Sequence, residues 1–585
     1  MAYGGQYIGS YAALDPGLAA DYGELFTGYQ LAMRRIGAST SINTANQIAE
    51  VESRLKEGIS AVEIAPISQG IFEQIPKQQF KEMGQLAKLA GAEVTVHGPI
   101  IEPSGFTDRG WSERAREEAE RHMISVVEKA HEINPKGNAP VTFHASAIPA
   151  EEWRTIIGEK GKEERIKDMI VAVNVESGQI EGMKREKYIY PEMKKEEYIS
   201  PETRIDMHNR SQWRNTLVGV EDMKRHGDDM IGRGLSTGDL SRADIYYEDI
   251  DLKLRSMYDL AFRHGNDAVK EQLKSISKKW TDAKKEIGKA DTKEKHLLLK
   301  QTLYVDVISD FNVMEEKIAR ARAQKGEEKE GFPIKFYKPV EEFAIEHASQ
   351  TVGNVAFSAF QKFKEHTPII SVENVLPNWA FSKAESLGKL VEESRKKFVE
   401  NAVAKGMHQD RAKKEAEKLI GATWDIAHIN LLRAQGFSEK EIVEETKKIS
   451  KYIKQVHMTD NFGMEHVDLP PGMGNVPIKK MMAEIEKAGY KGKAVIEAGS
   501  FAAQFKGVSP QIYAIEALGS PIYYPAMSPV WGQAIGTYGS ANLGYGPIFP
   551  EQHFSMYGAG FSSVPLSLGG IAPGKQSRFS GAPME

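Results

Sequence analysis

Short apolar segments alternate along this chain with longer amphipathic segments. Strand-like segments lie near residues 37–41, 61–66, 93–98 and 140–145. Helical patterns separate them near 44–58, 77–90 and 112–134, with Ser112 as the expected N-cap of the third. Most of the apolar segments are rich in β-branched residues and end in a polar loop, which is typical of buried parallel strands.

The same alternation resumes in the second half of the chain. Strand-like segments lie near 369–374, 421–426, 454–459 and 493–498, and helical patterns near 384–418, 438–452, 477–488 and 508–518. Eight strands, nearly all followed by a helix, predict an α/β fold of the (β/α)8 TIM barrel type. The predicted barrel is split between residues 36–146 and 366–520.

The interruption at 147–365 predicts an insertion made of a β-hairpin and helices. Two alternating runs around Ser177 and Gly178 indicate the hairpin, and the region from 241 to 325 has a strongly helical pattern. Because the insertion leaves from the end of a barrel strand, we expect it at the catalytic rim, as a lid or a substrate-selecting wall.

Both ends of the chain differ from the barrel in composition. Residues 1–35 are rich in Gly, Tyr and Ala, and residues 521–585 are rich in Gly, Pro, Ser and aromatic residues, with little charge. Neither end has helix or strand periodicity. We therefore predict an irregular N-terminal segment and a flexible C-terminal tail.

Composition excludes several kinds of site. The chain has 585 residues, a net charge of -5 and no cysteine, so disulfides and thiolate metal sites are ruled out. The charge neither favours nor forbids a nucleic-acid partner. We predict a cytoplasmic protein with no membrane association, since neither a signal peptide nor a membrane-spanning run is visible. The oligomeric state stays open.

Nine side chains that can bind a metal follow or lie near the ends of the predicted strands. They are His97, His144, Glu373, Asp425, His428, His457, His466, Asp468 and Glu497. Carboxylate and imidazole suit zinc, manganese and related divalent ions. Carboxylates buried together without a cation would repel one another. The pattern therefore predicts a metal site at the C-terminal end of the barrel.

In this arrangement the sequence resembles the xylose isomerase-like TIM barrel superfamily (AP endonuclease family 2), which includes endonuclease IV and many sugar isomerases and epimerases. The superfamily has a Glu, Asp, His, Glu site on strands five to eight. Glu373, Asp425, His457 and Glu497 match that site one for one. The ligand pattern is most similar to that of endonuclease IV.

The resemblance to endonuclease IV implies a cluster of up to three zinc ions. One ion would be held by His97, His144 and Glu373, and a second by Glu373, Asp425, His457 and Glu497. The third would be held by His428, His466 and Asp468. Two departures from that family are His466 and Asp468 in exchanged order, and Ser39 where the family usually has a histidine.

Two enzymatic functions follow, with Glu373, Glu497 and His428 as candidate catalytic residues. The favoured one is a DNA-repair hydrolase, resembling endonuclease IV, that cleaves phosphodiester bonds at abasic or damaged DNA with zinc. The alternative is a sugar or sugar-phosphate isomerase or epimerase with one Mn, Mg or Co ion and a small sugar substrate. A non-enzymatic assembly protein is the third hypothesis, and the intact ligand set argues against it.

Overall fold

The computed structural model describes residues 27–157, 163–189, 196–237, 241–324, 331–498 and 510–518. The chain divides into two compact units, one extending to Ile166 and resuming at Glu341, the other comprising Lys167–Val340. The predicted insertion, 147–365, is longer than this second unit at both ends. The tail predicted at 521–585, and most of the N-terminal segment predicted at 1–35, lie outside the described residues.

The first half of the barrel alternates strands and helices as predicted. Its elements are β1 (Ile36–Ser39), α1 (Gln47–Lys56), β2 (Ala61–Ile64), α2 (Gln69–Gln74), α3 (Lys77–Leu89), β3 (Glu93–His97), β4 (Phe106–Thr107), β5 (Gly110–Trp111), α4 (Glu113–His131), β6 (Pro140–His144) and β7 (Glu151–Ile157). Helix α4 begins where Ser112 Oγ accepts a hydrogen bond from Ala115 N at 3.2 Å, which confirms the predicted N-cap.

The chain continues with short strands and then four long helices. These elements are β8 (Glu163–Asn174), β9 (Ile180–Lys184), β10 (Glu186–Ile189), β11 (Glu196–Ile199), α5 (Pro201–Thr237), α6 (Ser241–His264), α7 (Asp267–Ile287), α8 (Lys293–Gln324) and β12 (Tyr337–Pro339). Strands β8 and β9 pair antiparallel, with Val173 opposite Ile180, so the predicted hairpin is confirmed. The helices pack around their own core, which includes Trp213, Tyr247 and Phe311.

The second half of the barrel follows the same alternation. Its elements are α9 (Val340–Phe363), β13 (Ile369–Glu373), α10 (Ala384–Ala404), α11 (Gln409–Leu419), β14 (Ile420–Asp425), α12 (Ile426–Asn430), α13 (Glu439–Ile449), β15 (Ile453–His457), α14 (Ile478–Lys487), β16 (Ala494–Ile496) and α15 (Pro510–Ala517). Short 3-10 helices lie at Met33–Arg35, Lys364–His366, Leu431–Gln435 and Ser450–Tyr452. The single helix predicted at 384–418 is wrong, because Gly406 has a φ of 86° and ends the helical backbone there.

Eight parallel strands close into a barrel, which confirms the predicted (β/α)8 fold. Their order around the barrel is β1, β16, β15, β14, β13, β6, β3 and β2. The barrel closes where Gly37 of β1 pairs with Val495 of β16, and β6 pairs with β13 although the second unit separates them in sequence. Within the described part of the chain, no helix combines the length and apolar character needed to cross a bilayer.

Candidate metal centre

Six barrel strands end in side chains that can bind a metal. Five of these side chains are the last residues of their strands and the sixth directly follows its strand: His97, His144, Glu373, Asp425, His457 and Glu497. The strand register sets them side by side, since Glu373 pairs with His144 and Asp425 pairs with His457. Parallel barrel strands present their C-terminal ends at one rim, so these side chains converge there.

Four predicted ligands form one compact set. Each residue offers a ligand atom, and these atoms lie within 4.8 Å of one another: Glu373, Asp425, His457 and Glu497. His457 joins two of the carboxylates, because its Nδ1 lies 2.7 Å from Glu373 Oε1 and 3.3 Å from Glu497 Oε2. Asp425 is oriented by α12, whose backbone N–H groups at Ala427 and His428 donate to Asp425 Oδ1 at 2.7 and 3.0 Å.

His97 and His144 approach the other oxygen of Glu373. Glu373 Oε2 lies 3.0 Å from His97 Nε2 and 3.5 Å from His144 Nε2, and these three residues form a second set within 4.8 Å. A third set comprises His97, His457 and Glu497. The His97 Nδ1–H donates to Gly98 O at 2.8 Å, since a carbonyl only accepts, so Nε2 is the nitrogen available to an ion.

The three ligands predicted for a third ion do not converge in the same way. Among the described residues, His428, His466 and Asp468 are not part of any set whose ligand atoms lie within 4.8 Å of one another. The rings of His428 and His466 are 5.2 Å apart, and His466 Nε2 lies 3.2 Å from Asp468 Oδ1. His428 Nδ1–H instead donates to Asn374 O at 2.9 Å. These residues lie beside the compact set, and their ligation stays a prediction.

Burial and mutual contact shift the pKa values of this cluster in opposite directions. Burial opposes charge on every member. It raises the pKa of the Glu497 carboxyl to about 8 and lowers that of His144 to about 3. For Glu373, burial is overcome by the charge and hydrogen bond of His457, which hold the pKa well below its usual range. The carboxylates conversely raise the pKa of His457 well above its usual value and that of His97 to about 9.

The donor set fits a divalent cation. Three carboxylates and one imidazole converge where three of the four side chains are almost fully buried, and His457 alone offers them positive charge within the set. Carboxylates buried this close together repel one another, and a doubly charged ion would neutralise that repulsion. Oxygen and imidazole nitrogen suit zinc, manganese, cobalt or magnesium. The identity of the metal stays a prediction.

Two acidic residues near the centre were missed from the sequence. Glu63, inside β2, is fully buried, and its Oε2 lies 3.1 Å from His457 Nε2. Asp460 follows β15 and accepts backbone N–H groups from Asn461, Gly472 and Val476 at 2.9, 2.9 and 3.0 Å. A glutamate enclosed by apolar residues in AVEIAP was the available signal for Glu63, because a carboxylate inside a buried strand requires a partner.

One family model matches part of this chain. Residues 382–511 match the family model described as xylose isomerase-like TIM barrel. The resemblance to that superfamily is confirmed, while the closer resemblance to endonuclease IV stays a prediction. No curated protein matches the chain in sequence.

Two solved structures resemble the chain at low identity. A D-tagatose 3-epimerase-like protein is 12% identical, with 80% of this chain and 91% of that chain covered and a TM-score of 0.36. A D-psicose 3-epimerase with D-tagatose from Clostridium cellulolyticum H10 is 10% identical, with 83% and 96% covered and a TM-score of 0.36.

Proposed function

We propose that this protein is a divalent-metal-dependent isomerase or epimerase of a small sugar or sugar phosphate. The observation that carries the proposal is the compact four-ligand set, in which Glu373 and Glu497 both contact Nδ1 of His457 at 2.7 and 3.3 Å. Two carboxylates on one ion-binding centre supply a proton acceptor and a proton donor for the same substrate carbon. This is the alternative function of the sequence analysis, which the assembled site supports better than the favoured one.

The different environments of the two glutamates suit opposite roles. In the metal-free protein, the charge and hydrogen bond of His457 lower the pKa of Glu373, whereas burial raises the pKa of Glu497 to about 8. One of these two glutamates would accept a proton from the substrate carbon and the other would return one on the opposite face, so the composition of the substrate is unchanged. A bound divalent ion would chelate adjacent substrate oxygens and acidify the carbon-bound proton.

The residues beside the compact set suit substrate binding. His428 is buried, with its Nδ1–H fixed on Asn374 O, so its Nε2, which lies 3.6 Å from Asp425 Oδ2, is the nitrogen that would meet a substrate hydroxyl. His466 and Asp468 are more exposed, with 42% and 26% of their side-chain surfaces accessible. A hydroxyl-rich substrate requires donors and acceptors of this kind around its reacting carbon.

A second candidate function is phosphodiester hydrolysis at abasic DNA. The set of His97, His144 and Glu373 favours it, because a second ion beside the first is the arrangement used for phosphoryl chemistry. A zinc-dependent hydrolase with three ions would also need His428, His466 and Asp468 to converge, and in the described residues these three do not form a ligand set.

The two functions differ in metal content and in hydrogen exchange. We expect the purified full chain to hold one Mn²⁺ or Co²⁺ per molecule, and to incorporate solvent deuterium at one carbon of a ketohexose or sugar-phosphate substrate during turnover in D₂O. Glu497→Gln should lower this exchange by roughly 10²–10⁴-fold, the usual contribution of a general acid or base. Glu445→Gln, the same change at a buried carboxylate on the outer helix α13, is the matched control.

Three outcomes would contradict the isomerase. They are three zinc ions per chain, cleavage of abasic-site duplex DNA that Glu373→Gln abolishes, and no deuterium incorporation across a panel of ketoses, aldoses and their phosphates. His144→Asn adds an independent test. With a single ion the variant should keep one metal per chain, whereas with two ions it should lose one.

A further inference from the structure

Glu63 is a fully buried carboxylate, and one of its oxygens faces the candidate metal ligand His457. Its Oε1 accepts hydrogen bonds from Gln455 Nε2 at 2.5 Å and from Thr95 Oγ1 at 3.3 Å. Its Oε2 has no hydrogen-bond partner of standard geometry in the described residues, yet lies 3.1 Å from His457 Nε2. Gln455 Nε2 also lies 3.3 Å from His457 Nε2, but it already donates to Glu63 Oε1. We therefore assign the imidazole N–H as the donor to Oε2, an oxygen that is costly to leave unpaired.

His457 lies between two groups of carboxylates. Its Nδ1 contacts Glu373 and Glu497, which belong to the compact ligand set, while its Nε2 contacts Glu63. A neutral imidazole carries one hydrogen, and the nitrogen that binds a metal must be the other one. An ion held with Nδ1 therefore requires the hydrogen to stay on Nε2.

We propose that Glu63 is a positioning residue that holds the hydrogen of His457 on Nε2, so that Nδ1 presents its lone pair to the ion. With an ion bound, Glu63 of β2 and His457 of β15 would form a carboxylate–histidine–metal relay across the barrel. This inference rests on the proposed metal site. Partners of this kind fix the tautomer and ring orientation of a ligating histidine and raise its basicity.

Glu63 acts through His457 and is not itself a ligand. Two of the three carboxylates of the ligand set contact Nδ1 of His457 and Glu63 contacts Nε2, so the imidazole ring lies between Glu63 and those two ligands. Among the residues that the structure describes, none of the sets of ligand atoms within 4.8 Å includes Glu63. Gln455 and Thr95 hold the carboxylate in place from the other side.

The test compares Glu63→Gln with Glu445→Gln in the full-length protein, with Zn²⁺ as the probe. Glu63→Gln keeps the size of the side chain and removes its charge. We expect its Zn²⁺ affinity, measured by competition with a chelator, to fall by roughly 10–100-fold. The Zn²⁺ affinity of Glu63→Asp, which keeps the charge on a shorter side chain, should lie between those of Glu63→Gln and the wild type. The affinity of Glu445→Gln should match that of the wild type.

A spectroscopic readout separates positioning from general weakening of the fold. In protein labelled with ¹⁵N-histidine, we expect a downfield ring proton bonded to Nε2 of His457, assigned by its absence in His457→Gln. This signal should be lost or shift upfield in Glu63→Gln and persist in Glu445→Gln. It can be read with and without zinc, so it tests the contact in either state.

The possible failures are distinguishable. If Glu63→Gln binds zinc as tightly as the wild type and keeps the Nε2 proton signal, Glu63 has no positioning role. If the wild type binds no zinc, the proposed function is lost, whereas a proton signal that depends on Glu63 in the metal-free protein would still show the contact between Glu63 and Nε2–H of His457.

Discussion

His97 and Glu373 are 276 residues apart in sequence, yet His97 Nε2 lies 3.0 Å from Glu373 Oε2. His457 Nδ1 lies 2.7 Å from the other oxygen of the same carboxylate. Glu373 is thus the residue through which the two halves of the site meet, and the compact four-ligand set shares it with the set of His97 and His144.

Substituting Glu373 should therefore damage metal binding more than substituting an outer partner. We expect Glu373→Gln to weaken Mn²⁺ binding by more than the roughly 10–100-fold effect of such partners, because it removes a charge that serves both sets. Isothermal titration of the variant and of Glu445→Gln would measure the difference. An unchanged affinity in Glu373→Gln would place the ion elsewhere.

Divalent ions should stabilise the barrel but not the helical unit. An ion that binds only the folded barrel adds about 2.7 kcal/mol at a hundred times its Kd, because binding is linked to folding. In scanning calorimetry, Mn²⁺ should raise the transition of the barrel and leave that of residues 167–340 in place. Metal-stripped Asp425→Asn, which lacks one carboxylate of the set, should respond less to added Mn²⁺. Equal shifts of both transitions would argue against a barrel site.

Asp460 should control the loop that carries His466 and Asp468. It is fully buried and accepts three backbone N–H groups from residues 461–476, which an asparagine cannot do because its amide nitrogen would face a donor. We expect Asp460→Asn to destabilise this loop by about 1–3 kcal/mol, the cost of unpaired buried groups. Hydrogen exchange of residues 460–476 would report it. Glu465→Gln, at an exposed position of the same loop, should leave the exchange unchanged.

A pH-dependent ion pair joins Arg165 to Glu441 at 2.6 Å. Glu441 and Ser438 form the capping box at the start of α13. The hydrogen bond from Arg165, with those from Ser438, lowers the pKa of Glu441 from 4.5 to about 2. A depressed pKa means that the stabilisation is fully present above pH 4.5 and is lost as the pH falls toward 2. Because the pair is partly exposed, we expect it to contribute less than about 1 kcal/mol to the free energy of unfolding.

Urea unfolding of the barrel at pH 5 and pH 3, for the wild type and Arg165→Met, would measure this contribution. The wild type should lose more stability on acidification than the variant. Identical pH profiles would show that the pair contributes nothing, and 0.5 M salt should reduce any difference between them.

The barrel and most of its site were readable from sequence because they depend on local patterns. Each of the strands that end in His97, His144 or Glu373 is an apolar run closed by a polar residue, and the fold brings such ends together. The break in the helix predicted at 384–418 was harder to predict. It depends on the positive φ of Gly406, which the glycines inside the described helices do not adopt.

Loop and interior contacts were beyond the sequence patterns. Whether His428, His466 and Asp468 approach one another depends on the path of the loop after β15, which no periodicity dictates. Glu63 was missed because the alternation identifies β2 as a strand but cannot say which strand lies across the barrel from it. Its contact with His457 depends on barrel closure.

The pairing of β6 with β13 places a timing constraint on the folding of this barrel during synthesis. The ribosome translates all of residues 167–340 between β6 and β13. Until β13 is made, β6 is the unpaired edge of the first half of the sheet, and such an edge is prone to wrong pairing. That intervening segment buries a core of its own. The full set of candidate metal ligands is then present only after Glu497 has been translated.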